Sequence, residues 1–175
     1  MRFSIILILF LQLSNMVLFD FSKESSMQNW RVIDDVVMGG KSDGRFFVNE
    51  NGDGVFEGIV SLENNGGFSS VRYNFIPKKI SDYSKVKIRL KGDGKKYQFR
   101  VKENRYDYHS YVIQFQTSGN WEVISLNLNE MIPQFRGRKL RMKNFSGKEI
   151  EELAFLIGNK KAEKFQLIID KIELE

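Results

Sequence analysis

The sequence predicts an all-β protein built as a single sandwich, and three observations carry that reading. Apolar residues recur mostly with a period of two, the period of a half-buried strand. The alternating stretches are short, bounded by Gly, Asn, Asp and Ser, and spaced about ten residues apart, as in sandwiches and jelly rolls. The chain has 175 residues, 42% of them hydrophobic, with no cysteine and two prolines. That size and apolar content suit one domain with a core large enough to need no disulfide.

Taken in order, Met1-Arg2-Phe3-Ser4 precedes an apolar run from Ile5 to Leu13, interrupted by Gln12. Its length suits the hydrophobic core of a secretory signal and is too short to span a bilayer. Residues 1–16 are therefore read as a signal or apolar leader, with a buried N-terminal strand as the alternative, and residues 17–175 as the domain. The strands expected are Val17–Phe21, Arg31–Val36, Phe46–Asn49, Val55–Leu62, Phe68–Phe75, Lys85–Lys91, Lys96–Lys102, Ser110–Thr117, Trp121–Asn127, Ala154–Gly158 and Phe165–Leu174. Alternation is clearest in Tyr97–Lys102, which exposes Gln98, Arg100 and Lys102, and in Tyr111–Gln116. Leu128–Phe135 and Lys148–Leu153 read as one or two helical turns each. Pro77 and Pro133 fall in connections, and Gly92-Asp93-Gly94-Lys95 reads as a hairpin turn. Trp30 and Trp121 lie beside apolar strand residues and are expected in the core.

Composition excludes several chemistries. Without cysteine there is no thiolate nucleophile, iron–sulfur cluster or cysteine-based zinc site, and the single histidine, His109, rules out a multi-histidine metal centre. No cofactor or metal is expected. The net charge of +5 favours anionic surfaces such as phospholipid headgroups or acidic partner patches; no recognition helix or ribonucleoprotein motif accompanies it, so nucleic acid is not expected. Gly39-Gly40-Lys41-Ser42 ends like a phosphate-binding loop, yet Asp35 stands where the first glycine belongs. Asn49-Glu50-Asn51-Gly52-Asp53-Gly54 opens like a calcium loop, yet Val60 replaces the closing Glu, and Asn-Gly and Asp-Gly explain it as a hairpin. Carboxylates remain: Asp34, Asp35, Glu57 and Glu63 could form an acid–base pair for glycoside cleavage, but no spacing fixes their separation, and no enzyme activity is expected.

Two glycine-centred segments stand out. Asp34-Asp35-Val36-Val37-Met38-Gly39-Gly40-Lys41-Ser42 and Glu63-Asn64-Asn65-Gly66-Gly67-Phe68-Ser69-Ser70-Val71-Arg72 each set a Gly-Gly pair beside polar side chains. Glycine permits positive φ and close backbone approach, so each segment is either a decorated turn or a polar cluster held against a ligand. Asn64, Asn65, Ser69, Ser70 and Arg72 could hold a polyol or a peptide backbone. Arg136-Gly137-Arg138-Lys139-Leu140-Arg141-Met142-Lys143 is the densest cationic run and sits where a long loop is expected.

Together these segments resemble the complex I intermediate-associated protein 30 family of NADH:ubiquinone oxidoreductase assembly factors and their bacterial relatives. The resemblance rests on Trp30 with Asp34–Ser42, Phe56-Glu57-Gly58, Asn64–Arg72, Gly92-Asp93-Gly94-Lys95-Lys96-Tyr97, Trp121 and Phe135-Arg136-Gly137-Arg138, in order from about Leu18 to Glu175. It implies a galactose-binding-like jelly roll, closed by a last strand at Phe165–Ile172, and a chaperone-like scaffold without catalysis.

The function expected is a non-enzymatic binding or assembly protein, with a carbohydrate-binding module of the cell envelope as the alternative. The residues singled out for partner or ligand binding are Asp35, Asn64, Asn65, Arg72, Asp93, Arg136 and Arg138, either to hold a polar surface or to brace loops. A protein partner is expected, such as a membrane complex or its subunits, alongside carbohydrate and peripheral membrane contact. The short apolar leader points to a bacterial protein of the cell envelope, periplasmic or secreted, with a cytoplasmic location as the alternative.

Overall fold

The computed structural model describes residues 15–175; the leader expected at residues 1–16 lies outside them except for Asn15 and Met16. Thirteen strands follow: β1 (Met16–Asp20), β2 (Trp30–Asp34), β3 (Asp43–Val48), β4 (Gly54–Val60), β5 (Ser69–Lys79), β6 (Lys85–Lys91), β7 (Lys96–Lys102), β8 (Ser110–Gln116), β9 (Trp121–Asn127), β10 (Ile132–Phe135), β11 (Arg138–Lys139), β12 (Glu149–Ile157) and β13 (Glu163–Leu174). Every pairing is antiparallel. One sheet has the order β3-β4-β13-β6-β9, with β1 also on β13; the other runs β11-β10-β8-β7-β12-β5-β2. On one flank of β13, β4 pairs with its first half (Glu163–Ile169) and β1 with its end (Lys171–Leu174), while β6 takes the other flank.

The core fills the space between the sheets, where Phe56, Phe99, Phe155 and Leu167 are buried. Each such side chain removed from water contributes roughly 1.5–3 kcal/mol. At one end Phe19, Phe21, Trp30, Phe46 and Tyr73 form an aromatic cluster, Trp30 stacking on Tyr73 at 4.7 Å between centroids. It ties β1, β2, β3 and β5 together across the sandwich. Trp30 is thus a core residue as expected, whereas Trp121 is half exposed on the outer face with the Arg89 guanidinium 4.7 Å from its ring centroid.

Several local expectations are corrected. Lys148–Leu153 is part of β12, paired with both β5 and β7. Its run of three glutamates among apolar residues hides the alternation because the register shifts between Ile150 and Glu152. A bulge of this kind breaks the period of two and imitates a helical pattern. Pro77 lies inside β5, where the same bulge leaves no β12 partner between Asn74 and Lys78, so its missing N–H costs no ladder bond. Leu128–Phe135 divides into a 3-10 turn at Leu128–Glu130 and β10, which carries Pro133. The cationic run is no long loop: β10 and β11 close on a two-residue turn, Arg136 at φ 48° and Gly137 at φ 75°. Two positive φ values match the twist of a tight hairpin. Gly92–Lys95 is not a hairpin but a crossover, since β6 belongs to one sheet and β7 to the other.

Candidate functional site

Asp35 organises both glycine-centred segments. It opens a 3-10 turn at Asp35–Met38 and is fully buried (0% exposed). Its carboxylate accepts hydrogen bonds from Ser42 N (2.9 Å), Ser42 Oγ (2.5 Å), Gly67 N (2.6 Å) and Phe68 N (3.1 Å). The glycines follow from this geometry. A Cβ on Gly40 would overlap the Asp35 carboxylate, and one on Gly66 would lie 2.6 Å from Asp35 Oδ2. Burial pushes the Asp35 carboxyl up, but the bonds from Ser42, Gly67 and Phe68 outweigh it and hold the pKa below its usual value. The other polar members complete the brace. Asn64 and Asn65 adopt left-handed backbone, and Asn64 Nδ2 donates to Gly39 O at 3.0 Å. Asparagine tolerates that conformation better than most residues.

Braced in this way, the two segments form one wall of a cleft on the outer face of the seven-stranded sheet. Its volume is about 360 Å³. Register places the floor: Arg72 (β5) faces Ala154 (β12), which faces Arg100 (β7), while Glu152 faces Lys102. Residues directly opposite on paired strands share a face, so Arg72, Arg100 and Lys102 project together with Gln98 and Ser110. Met38 and Phe68 line the braced wall; Tyr108, Phe135 and Arg136 line the opposite one. Tyr108 meets Phe135 edge-on at 5.3 Å, and the Arg136 guanidinium lies 5.3 Å from the Phe135 ring centroid.

The cations of the floor differ in their partners. Lys102, 8% exposed, donates to the carbonyls of Asp107 (2.7 Å) and Arg105 (3.2 Å). Burial lowers its pKa, with Arg72 adding to the effect and Glu152 opposing it. Arg72 reaches Glu152 at 3.9 Å, the limit of an ion pair; burial raises the Glu152 pKa against the pull of Lys102 and Arg72. Arg100 gives Nε (3.0 Å) and Nη2 (2.7 Å) to one acceptor, Gln98 Oε1. Burial, with Arg72 as a like charge, pulls its pKa down to about 10.

Of the seven residues singled out from the sequence, Arg72 and Arg136 line this cleft, and Asp35 and Asn64 brace its wall. Asn65 sits exposed on the brace. Arg138 is exposed on β11, outside the lining. Asp93 lies elsewhere, holding the crossover by accepting from Lys95 Nζ (2.7 Å), Tyr97 Oη (3.0 Å) and Gln166 N (3.0 Å). It borders a second, more open hollow of about 560 Å³ on the six-stranded sheet. There Arg45 pairs with Glu57, which also accepts from Gln166, so the polar groups satisfy one another. The four carboxylates considered for glycoside cleavage are all engaged: Asp34 with Gly44 N, Asp35 in the brace, Glu57 with Arg45 and Glu63 with Lys41. Sequence reasoning missed Met38, Tyr108 and Glu152 as neighbours of the site. It marked Gln98, Arg100 and Lys102 only as an exposed face; that alternating polar triplet was the available signal.

Fold and cleft together define a galactose-binding-like jelly roll with a polar cleft on one outer sheet face. The chain belongs to the complex I intermediate-associated protein 30 (CIA30) family, which it matches over residues 19–169. No curated protein matches it. Among solved structures it is similar to the family 11 carbohydrate-binding module from Clostridium thermocellum in complex with a β-1,3-1,4-mixed-linked tetrasaccharide. That likeness has a TM-score of 0.67 at 17% identity, covering 91% of this chain and 94% of the module. The family 11 module of the cellulosomal cellulase Lic26A-Cel5E of the same organism gives 0.67 at 16%, covering 92% and 94%. An exo-β-agarase gives 0.59 at 11%, covering 91% of this chain and 24% of the agarase. At such identities the likeness shows the fold.

Proposed function

We propose that the protein is a non-enzymatic binding and assembly protein that holds a partner protein in the cleft between Met38 and Phe135. The observation that carries this reading is the lining itself: Arg72, Gln98, Arg100 and Arg136 supply hydrogen-bond donors between apolar walls. Such groups hold and orient a ligand. Among the described lining residues no carboxylate, Cys or His is available as a nucleophile or general base. Membership of a family named for association with complex I intermediates supports a partner among the subunits of a respiratory membrane complex.

The test is crosslinking capture from the source cells with the tagged chain, a Ser110→Trp variant that fills the cleft, and an Arg136/Arg138 charge reversal. Loss of a reproducible protein partner with Ser110→Trp supports the reading; undiminished capture by both variants refutes it. A second reading, carbohydrate binding, is supported by the likeness to a module solved in complex with a tetrasaccharide. Saturable binding on a glycan panel, abolished by Ser110→Trp, would favour it.

A further inference from the structure

Resting on the cleft reading, we infer that the cleft grips the carboxylates of an extended acidic polypeptide segment, with Arg100 and Arg72 as the paired anchors.

Arg100 is half-buried in the floor of the cleft. A guanidinium has five N–H donors in a rigid fork, and here two of them share the single acceptor Gln98 Oε1. Among the described residues no carboxylate forms an ion pair with Arg100. Taking an unpaired charge out of water is costly, and folds rarely keep one without a partner. The charge that acts on it most is another cation, Arg72, two strands away in the same row.

Between the two arginines stands Ala154, buried beneath the row. Neighbouring strands lie roughly 4.8 Å apart, so the two arginine Cα atoms are about 10 Å apart. A methyl group between them leaves an open slot. A carboxylate lowered into it meets a fork from each side, the bidentate arrangement that makes Arg–carboxylate pairs strong. The other cations cannot replace this pair: Lys102 is taken up by two backbone carbonyls, and Arg136 lies over Phe135.

The walls point to polypeptide. Met38, 54% exposed, lines the braced side beside the exposed Val37, with Tyr108, 63% exposed, on the opposite wall. Apolar side chains held out on a rigid turn mark a contact surface. A peptide offers aliphatic groups beside its carboxylates and so matches both features at once.

The experiment measures fluorescence anisotropy of a labelled peptide of Glu-Leu-Asp-Gly repeats, against a Gln-Leu-Asn-Gly counterpart and against polygalacturonate. The acidic peptide is expected to bind, the neutral one to bind at least tenfold more weakly, and Arg100→Gln to weaken acidic-peptide binding at least tenfold. Arg100→Gln is also expected to melt no lower than the native chain, because it removes a partly buried cation with no carboxylate partner among the described residues. Equal binding by the variant, a large loss of its thermal stability, or binding of polygalacturonate in place of peptide would each overturn the inference. If Ser110→Trp abolishes partner capture while Arg100→Gln leaves it intact, the cleft reading stands and the carboxylate inference fails. If neither variant affects capture, the cleft reading itself fails.

Discussion

Replacing Asp35 separates a brace from a decoration. Its carboxylate receives three backbone amides and one hydroxyl in a fully buried position. In Asp35→Asn the amide oxygen can keep the donors now on Oδ2, but the new NH2 must then face Ser42 N–H. Hydrogen bonds to a charged acceptor contribute about 1.5–3 kcal/mol against about 0.5–1.5 for neutral pairs, and an orphaned buried donor costs about 1–3. Three weakened bonds and one orphan give a loss of about 3–5 kcal/mol, a large share of the roughly 5–15 kcal/mol that stabilises a domain. Urea denaturation of the native chain and the variant measures it. The pH dependence follows from the lowered pKa. A carboxyl whose folded pKa lies below its unfolded value contributes stability that is fully present above the unfolded pKa and is lost as pH falls through the folded one. The gap between native chain and variant is therefore constant from neutral pH down toward 3.8, the reference value, and closes below it. A loss under about 1 kcal/mol, or a gap that persists in acid, would refute the brace. Because the brace holds Met38 and Phe68 at the cleft wall, partner capture should fall with stability.

Other substitutions probe the frame. Gly58→Ala places a methyl group on the Asp43 carbonyl of the facing strand, so β3 and β4 must separate at a cost of about 1–3 kcal/mol; an unchanged urea midpoint would contradict the register. His109 is buried between Tyr108 and Tyr111 with no hydrogen-bond partner for either ring nitrogen. His109→Phe should leave stability unchanged or raise it by about 1 kcal/mol, and a clear loss would reveal an unseen polar partner. The proposed envelope location predicts the protein in the periplasmic, membrane or culture fraction of its source cells, where intact mass would show whether residues 1–16 are removed; recovery of the full-length chain from the cytoplasm would reject it.

Much of the fold was legible because a strand with one buried face writes its period into the chain. Lys85–Lys91, Lys96–Lys102 and Trp121–Asn127 are bounded in the structure as the alternation predicts. The pattern failed where pairing geometry overrides it: the bulge in β12 gave Lys148–Leu153 a helical look, and the same bulge gave Pro77 its place inside β5. Trp121 was misplaced because both faces of an edge strand can carry large side chains, and only packing shows which is covered. At the site, the glycine pairs announced a close approach, yet no local signal could say that the approaching group was Asp35, seven residues from Ser42 and more than thirty from Gly67 and Phe68.

The sequence by itself determined the class of fold, the family and the residue types available for chemistry, since these depend on period, composition and local motif. The tertiary structure alone decided which of those residues meet. Sheet register set Arg72 and Arg100 on either side of Ala154, and the crossover at Gly92–Lys95 put β6 and β7 in different sheets. Such neighbours are far apart along the chain, and their proximity follows from how the sheets pack rather than from any stretch of sequence between them.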